Sequence, residues 1–176
     1  GENYVIILNT NAGLWGYNIG DTVEFTSINP YRIIVSGRIK HFISAFGEHV
    51  IGKEVESAMI KACGTTKAEV VEFTVAPQID GGEGGLPYHE WFVEFAKEPK
   101  DMADFSKIID DEMQSQNVYY KDLIEGNILK PIVLSPLKKD GFIDYMKSIG
   151  KLGGQNKVPR LSNDRKIADQ LSKLKA

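Results

Sequence analysis

Residues 68–97 read AEVVEFTVAPQIDGGEGGLPYHEWFVEFAK, and the fold turns on them. Val71, Phe73 and Val75 recur at every second position, as do Trp91, Val93 and Phe95. Successive strand side chains point to opposite faces, so a period of two marks a strand with one apolar face. The stretch predicts two adjacent strands joined by the Gly- and Pro-rich segment between them. Its DGGEGG run, Asp80–Gly85, has the glycines to cradle a phosphate on backbone N–H groups. A phosphate loop of that kind leads into a helix N-terminus, whereas this one leads through Pro87 into a strand. It is read as a hairpin loop.

On both sides of this pair the apolar period becomes helical. GKEVESAMIKACG places Val55, Ala58, Met59 and Ala62 at i, i+3, i+4 and i+7, which predicts a helix between Gly52 and Gly64. DMADFSKIIDDEMQSQN puts Met102, Phe105, Ile108, Ile109 and Met113 on one face of a second helix, and VYYKDLIEG reads as a short third. KPIVLSPL is a strand closed by Pro136. GFIDYMKSIG sets Phe142, Tyr145, Met146 and Ile149 at helical spacing. After the loop LGGQNKVPR comes a final helix with Ser162 as N-cap and Ile167, Leu171 and Leu174 inside. The order of helix, two strands, two helices, strand and two helices predicts an α+β sandwich, with a mostly antiparallel sheet and flanking helices.

Before Gly37 the texture differs. NYVIILN reads as a strand apolar on both faces, and DTVEFTS and YRIIVSG form a hairpin about Asn29-Pro30. The expected boundary lies near Gly37-Arg38. Residues 1–37 are read as the terminal strands of a preceding domain, and residues 38–176 as a C-terminal α+β domain. An opening without Met that enters a strand at once is what a piece of a longer protein would show.

Composition narrows the class. Of 176 residues, 42% are hydrophobic and 26% charged, ordinary values for a soluble globular protein. No run approaches the roughly 18 apolar residues of a membrane span. A net charge of −3 argues against nucleic acid or an anionic membrane as partner. The single cysteine, Cys63, excludes an intrachain disulfide framework, fits a cytoplasmic, reducing compartment, and reads as a small core residue in a helix.

His41, His49 and His89 have no partner at metal-ligand spacing, and no nucleophile elbow is present. The charges of KEVESAMIK and SKIIDDE read as solvated helix faces. Three residues stay open between a structural and a functional reading. Asp21 follows YNIG at the mouth of a strand, as an Asx-type turn residue or as an acceptor for both hydroxyls of a ribose. Arg38 is a surface residue closing a strand or a hinge-adjacent cation for a hydroxyl or phosphate. Lys157, between a glycine pair and a proline, is an exposed loop lysine or one that is placed over a ligand; Arg160 has the same standing.

Four segments in order, GLWGYNIGDTVEF, VSGRIKHFISAFGEHV, LPYHEWFVEF and GGQNKVPRLS, resemble the C-terminal third of one family. It is the Gretchen Hagen three, or auxin-responsive promoter, acyl-acid amido synthetases, adenylate-forming enzymes related to firefly luciferase. The first resembles the family's nucleotide motif, Gly-Leu-aromatic-Arg-Tyr-Arg-x-Gly-Asp, and the last its Gln-Tyr-Lys-x-Pro-Arg motif. The resemblance implies an ATP-dependent ligase: a carboxylic acid is adenylated and its acyl group passed to an amine such as an amino acid. It further implies that Asp21 binds the ribose hydroxyls, that Tyr17 lines the nucleotide pocket and that Arg38 marks the hinge. Lys157 would approach the α-phosphate or pyrophosphate, with Mg2+ balancing the ATP phosphates. Gly16 and Asn18 stand where the family has arginines, Asn156 where it has an aromatic, and Tyr88 where it has glycine. Those departures imply a divergent, bacterial member.

The phosphate loop and acyl pocket of such enzymes would lie in an N-terminal domain outside this chain, so the piece alone is expected to be inactive. Two alternatives stand beside this reading: a stand-alone α+β binding module, and an acyl-CoA-forming ligase with a thiol acceptor.

Overall fold

A computed structural model describes residues 2–39, 42–81, 85–153 and 156–176. Lys40 and His41 of the expected hinge, residues 82–84 of the DGGEGG run, and the Gly154-Gln155 step of the late motif lie outside the described residues.

The central strand pair is a hairpin. β6 (Glu69–Gln78) and β7 (Tyr88–Lys97) are antiparallel, with Phe73 opposite Val93 and Val75 opposite Trp91. β8 (Val133–Leu137) joins β7 in parallel, giving the order β6-β7-β8. One face of this sheet carries Phe73, Val75, Trp91 and Val93, buried against α1 (Gly52–Thr66), α2 (Met102–Gln116) and α3 (Val118–Glu125). The other carries Ala76 and Phe92, buried against α4 (Gly141–Ser148) and α5 (Lys166–Leu171). Helices on both faces make the α+β sandwich that the strand and helix order implies.

Four local expectations are corrected. Val71 is 57% exposed, because it is the extra residue of a β-bulge between the pairs Val70–Phe95 and Glu72–Glu94; Val70 packs against the core instead. α1 passes Gly64 and runs to Thr66, capped by Lys67, which takes the left-handed conformation and donates its N–H to Cys63 O. Ser162 does not cap the last helix. Its N–H donates to Val75 O, while Val75 N–H donates to Arg160 O, so residues 160–162 lie along β6 and α5 begins only at Lys166. Pro136 sits inside β8 rather than closing it. That strand is at the edge of the ladder, where a missing N–H is tolerated.

The leader forms its own three-stranded sheet, β1 (Asn3–Leu8), β2 (Tyr17–Ile28) and β3 (Tyr31–Arg38). Most of its large apolar side chains are exposed, among them Ile7, Ile28, Tyr31 and Val35. A two-rung ladder follows, β4 (Phe42–Ile43) with β5 (Val50–Ile51), too short to have an apolar period.

Buried polar groups fasten this ladder to the helical half. Glu48 and His89 are both fully enclosed, with Glu48 Oε1 2.9 Å from His89 Nε2. Glu48 also accepts the Phe46 N–H, and its carbonyl accepts from Asn117 Nδ2. Asn117 caps α3 through the Tyr120 N–H, and Tyr120 stacks on His89 while donating its hydroxyl to Asp110. Burial pushes the Glu48 carboxyl up, but the hydrogen bonds from His89 and the backbone outweigh it and hold the group below its ordinary value. No helix among the described residues is long and apolar enough to cross a membrane.

Candidate active site

The segment YNIGDT, Tyr17–Thr22, folds as strand, not turn, and this corrects the expected place of Asp21. β2 begins at Tyr17, and Asp21 is its fifth residue. Val5 pairs with Thr22 and Ile7 with Asn18, so Ile19, Gly20 and Asp21 stand opposite Ile6 alone. This irregularity needs Gly20 at φ +85°, a conformation that side chains other than glycine's rarely adopt. Asn18 Oδ1 accepts the Gly20 N–H, and Gly20 O accepts the Ile39 N–H at the end of β3.

Immediately after the irregularity Asp21 pairs across the hairpin with Arg38, whose Nε donates to Asp21 Oδ1 at 2.9 Å. The Asp21 side chain is 21% exposed and that of Arg38 63%. One rung on, Ser36 donates its hydroxyl to Thr22. The acid is largely sheltered, and the cation reaches into solvent beside it.

Both residues line a cleft of about 650 Å³ between the end of β3 and the first turns of α1. Lys53, Glu56 and Arg160 line its other side. Lys53 also bridges to Glu24 on β2 at 2.8 Å, tying α1 to the leading sheet. The helix face read as solvated charge is therefore one wall of this cleft.

Arg160 is the site residue that sequence reasoning undervalued. Its guanidinium lies 4.5 Å from the Phe73 ring centre, donates to Phe73 O at 3.1 Å, pairs with Glu72 and faces Glu56 Oε1 at 3.4 Å. The one available signal was its place in NKVPR, three residues after Lys157.

The other two expected residues stand apart. Lys157 lines a separate cavity of about 250 Å³, with Glu72, Glu94, Phe142, Met146 and Lys151. Tyr17, at the start of β2 opposite Leu8, is 51% exposed and is not among the residues lining the Asp21 cleft. In this arrangement Asp21 and Arg38 are brought together, and Lys157 and Tyr17 do not join them. Among the described residues no group of three or more His, Cys, Asp or Glu side chains could hold a metal ion. Burial pushes the Cys63 thiol up, which is the environment of an inert thiol.

Comparison with known proteins gives the frame. The pattern described as GH3 family C-terminal domain matches residues 53–166, and that described as GH3 family central domain matches residues 1–38. Indole-3-acetic acid-amido synthetase GH3.10 of Arabidopsis thaliana is 25% identical over 183 aligned positions, which cover 98% of this chain and 30% of that protein. The structure of GH3.15 acyl acid amido synthetase superposes with a TM-score of 0.76 at 18% identity, over 99% of this chain and 34% of that one. The structure of AtGH3.15 acyl acid amido synthetase in complex with 2,4-DB superposes with 0.73 at 18% identity, over 99% and 33%. The chain thus spans about a third of the length of the relatives it matches.

Proposed function

The chain belongs to the GH3 family, and we propose that it is the C-terminal part of an ATP-dependent acyl-acid amido synthetase. In the first half-reaction an oxygen of the acid's carboxylate forms a bond to the α-phosphorus of ATP, and the bond to the β-phosphate oxygen breaks. The products are an acyl-adenylate and pyrophosphate. In the second, an amine such as that of an amino acid attacks the acyl carbon, AMP leaves with the electron pair of the broken C–O bond, and the amine loses a proton.

The observation that carries this reading is the opposition of Asp21 and Arg38 at the mouth of the cleft. A carboxylate held by one cross-strand cation accepts vicinal hydroxyls well, since hydrogen bonds to a charged acceptor contribute about 1.5–3 kcal/mol each. In this reading Asp21 anchors the ribose and Arg38 turns toward a hydroxyl or phosphate. Tyr17 borders the nucleotide. Lys157 supplies positive charge at the α-phosphate or pyrophosphate as negative charge develops there. Mg2+ would belong with the ATP phosphates, since among the described residues no group of three or more His, Cys, Asp or Glu side chains could hold it.

Lys157 lines another cavity in this arrangement. Its role therefore requires the α+β half to turn against the leading sheet, and residues 38–176 are proposed to be that mobile domain. The covering domain, the phosphate loop and the acid pocket would come from the N-terminal part of the protein. The exposed apolar faces of β1–β3 support such a covering. The departures at Gly16, Asn18 and Asn156 support a divergent, bacterial member, and the one free cysteine a cytoplasmic one.

The test is ATP–pyrophosphate exchange by the full-length protein with a panel of carboxylic acids. Acid-dependent exchange is expected, followed by AMP release and an amide on addition of an amino acid. Exchange with no acid in the panel would sink the reading.

A further inference from the structure

Lys157 and Arg160 leave one short segment toward different cavities. Lys157 lines the smaller one together with Glu72; Arg160 lines the larger one together with Asp21. The Glu72–Arg160 ion pair stands between the two. Arg160 is also the most heavily held cation of the late motif. Its planar face covers Phe73, one edge donates to the Phe73 carbonyl, and Nε faces Glu56 on α1.

The backbone on either side is held too. Thr74 donates its hydroxyl to Pro159 O at 2.7 Å, and Val75 N–H donates to Arg160 O at 2.9 Å. Only Val158 and Pro159 separate this anchorage from Lys157. Val158 is buried, and a proline ring fixes its own φ. The position of the lysine backbone is therefore set from its C-terminal side, and the Arg160 side chain adds to these bonds its own contacts to Phe73 and Glu72 on β6 and to Glu56 on α1.

Resting on the ligase reading above, we propose that Arg160 is the positioning residue for Lys157, fixing where the lysine stands when the α+β half closes over the nucleotide. The guanidinium suits this task because its planar fork reaches a carbonyl and two carboxylates while its face lies on a ring. A lysine ammonium cannot make that set of contacts at once. An arginine engaged in this way acts through its neighbour.

A mutant cycle in the full-length protein tests this, using ATP–pyrophosphate exchange with the acid that the wild type activates best. Arg160→Met should lower kcat about tenfold while KM for ATP stays within about twofold, and Arg160→Lys should recover only part of the loss. Combined with Lys157→Ala, Arg160→Met should add no further loss, because its effect passes through the lysine. Trypsin cleavage after Lys157 should be faster in Arg160→Met, whether or not substrate is present. Multiplying losses in the double variant, or unchanged cleavage and rate in the single one, would overturn the proposal. If Arg160→Met loses its cooperative thermal transition, the same cycle is run with Arg160→Lys. A wild type without exchange removes the ligase reading, and this role with it; that outcome is seen before any variant is compared.

Discussion

Asp21 and Arg38, 17 residues apart in the chain, meet side by side at 2.9 Å across the β2–β3 hairpin. The rung is the last of the β2–β3 ladder before the chain leaves the leading sheet. The acid proposed to anchor the ribose is thus fixed at the point where the chain leaves the leading sheet.

Replacing that acid should cost nucleotide binding. For Asp21→Ala in the full-length protein, kcat/KM for ATP is expected to fall at least about 10- to 150-fold, the equivalent of one charge-assisted hydrogen bond. Asp21→Asn should keep part of it. Steady-state exchange kinetics over a range of ATP concentrations read this out, and an unaltered KM for ATP would remove Asp21 from the ribose site.

Lys157 is expected to behave differently. Lys157→Ala should slow adenylation by about 10²–10³, the usual cost of removing one preorganised donor to a developing charge. The lysine sits in an exposed loop, so its thermal transition should stay where it is in the wild type. Equal exchange rates in variant and wild type would end the assignment.

Gly20 is tested by stability rather than turnover. Its φ of +85° is strained for any residue with a β-carbon, so Gly20→Ala should destabilise the leading sheet by about 1–2 kcal/mol, and Gly20→Asn by less. The glycine has open space around its Cβ direction, so strain and not collision is the cause. Equal midpoints in denaturant for all three forms would refute this.

The pH dependence rests on two buried carboxyls held low, which outnumber the one, Glu54, that burial pushes up. Glu48 is held below its ordinary value as described. Glu90 is raised by burial but lowered by more through the hydrogen bonds of Lys175, Ser135 and Arg165. A carboxyl with a depressed folded-state pKa contributes stability above its unfolded pKa and loses it as pH falls through the folded one. The melting temperature should therefore be level near neutrality and drop as pH falls below about 4.5, the ordinary glutamate value. Glu48→Ala should lower stability at neutral pH by about 1–3 kcal/mol, because the His89 ring nitrogen and the Phe46 N–H are left without their hydrogen-bond partner. Thermal unfolding followed by circular dichroism from pH 7 to 3 checks both; a pH-independent midpoint contradicts the account.

Much of this architecture is legible in local pattern. The alternation at Phe73, Val75, Trp91 and Val93 and the helical spacing from Val55 to Ala62 survive because each element buries the face its period marks. What escapes local reading depends on partners distant in sequence. Val71 is turned out by a register shift set by β7, and Ser162 is taken from helix capping by a β6 carbonyl. Arg160 looks like a loop cation until Glu56, Glu72 and Phe73 are brought to it from 104, 88 and 87 residues away in the chain. The Asp21–Arg38 pair was within reach, since one hairpin joins them. The separation of Lys157 from that pair was not, because it depends on how the late segment lies along β6.

The docking of residues 160–162 on β6 has a consequence beyond the cleft. Val75 is bridged by Leu161, and at the opposite margin Leu137 is bridged by Lys175. Unpaired strand edges are where foreign chains add themselves, and both edges of this sheet carry a piece of the protein's own chain as a stopper. The leading sheet has no such stopper among the described residues, and its outer strands β1 and β3 are rich in exposed Ile and Val. Self-association of the isolated chain should therefore be a matter of its first 38 residues, leaving the sandwich behind them inert to it.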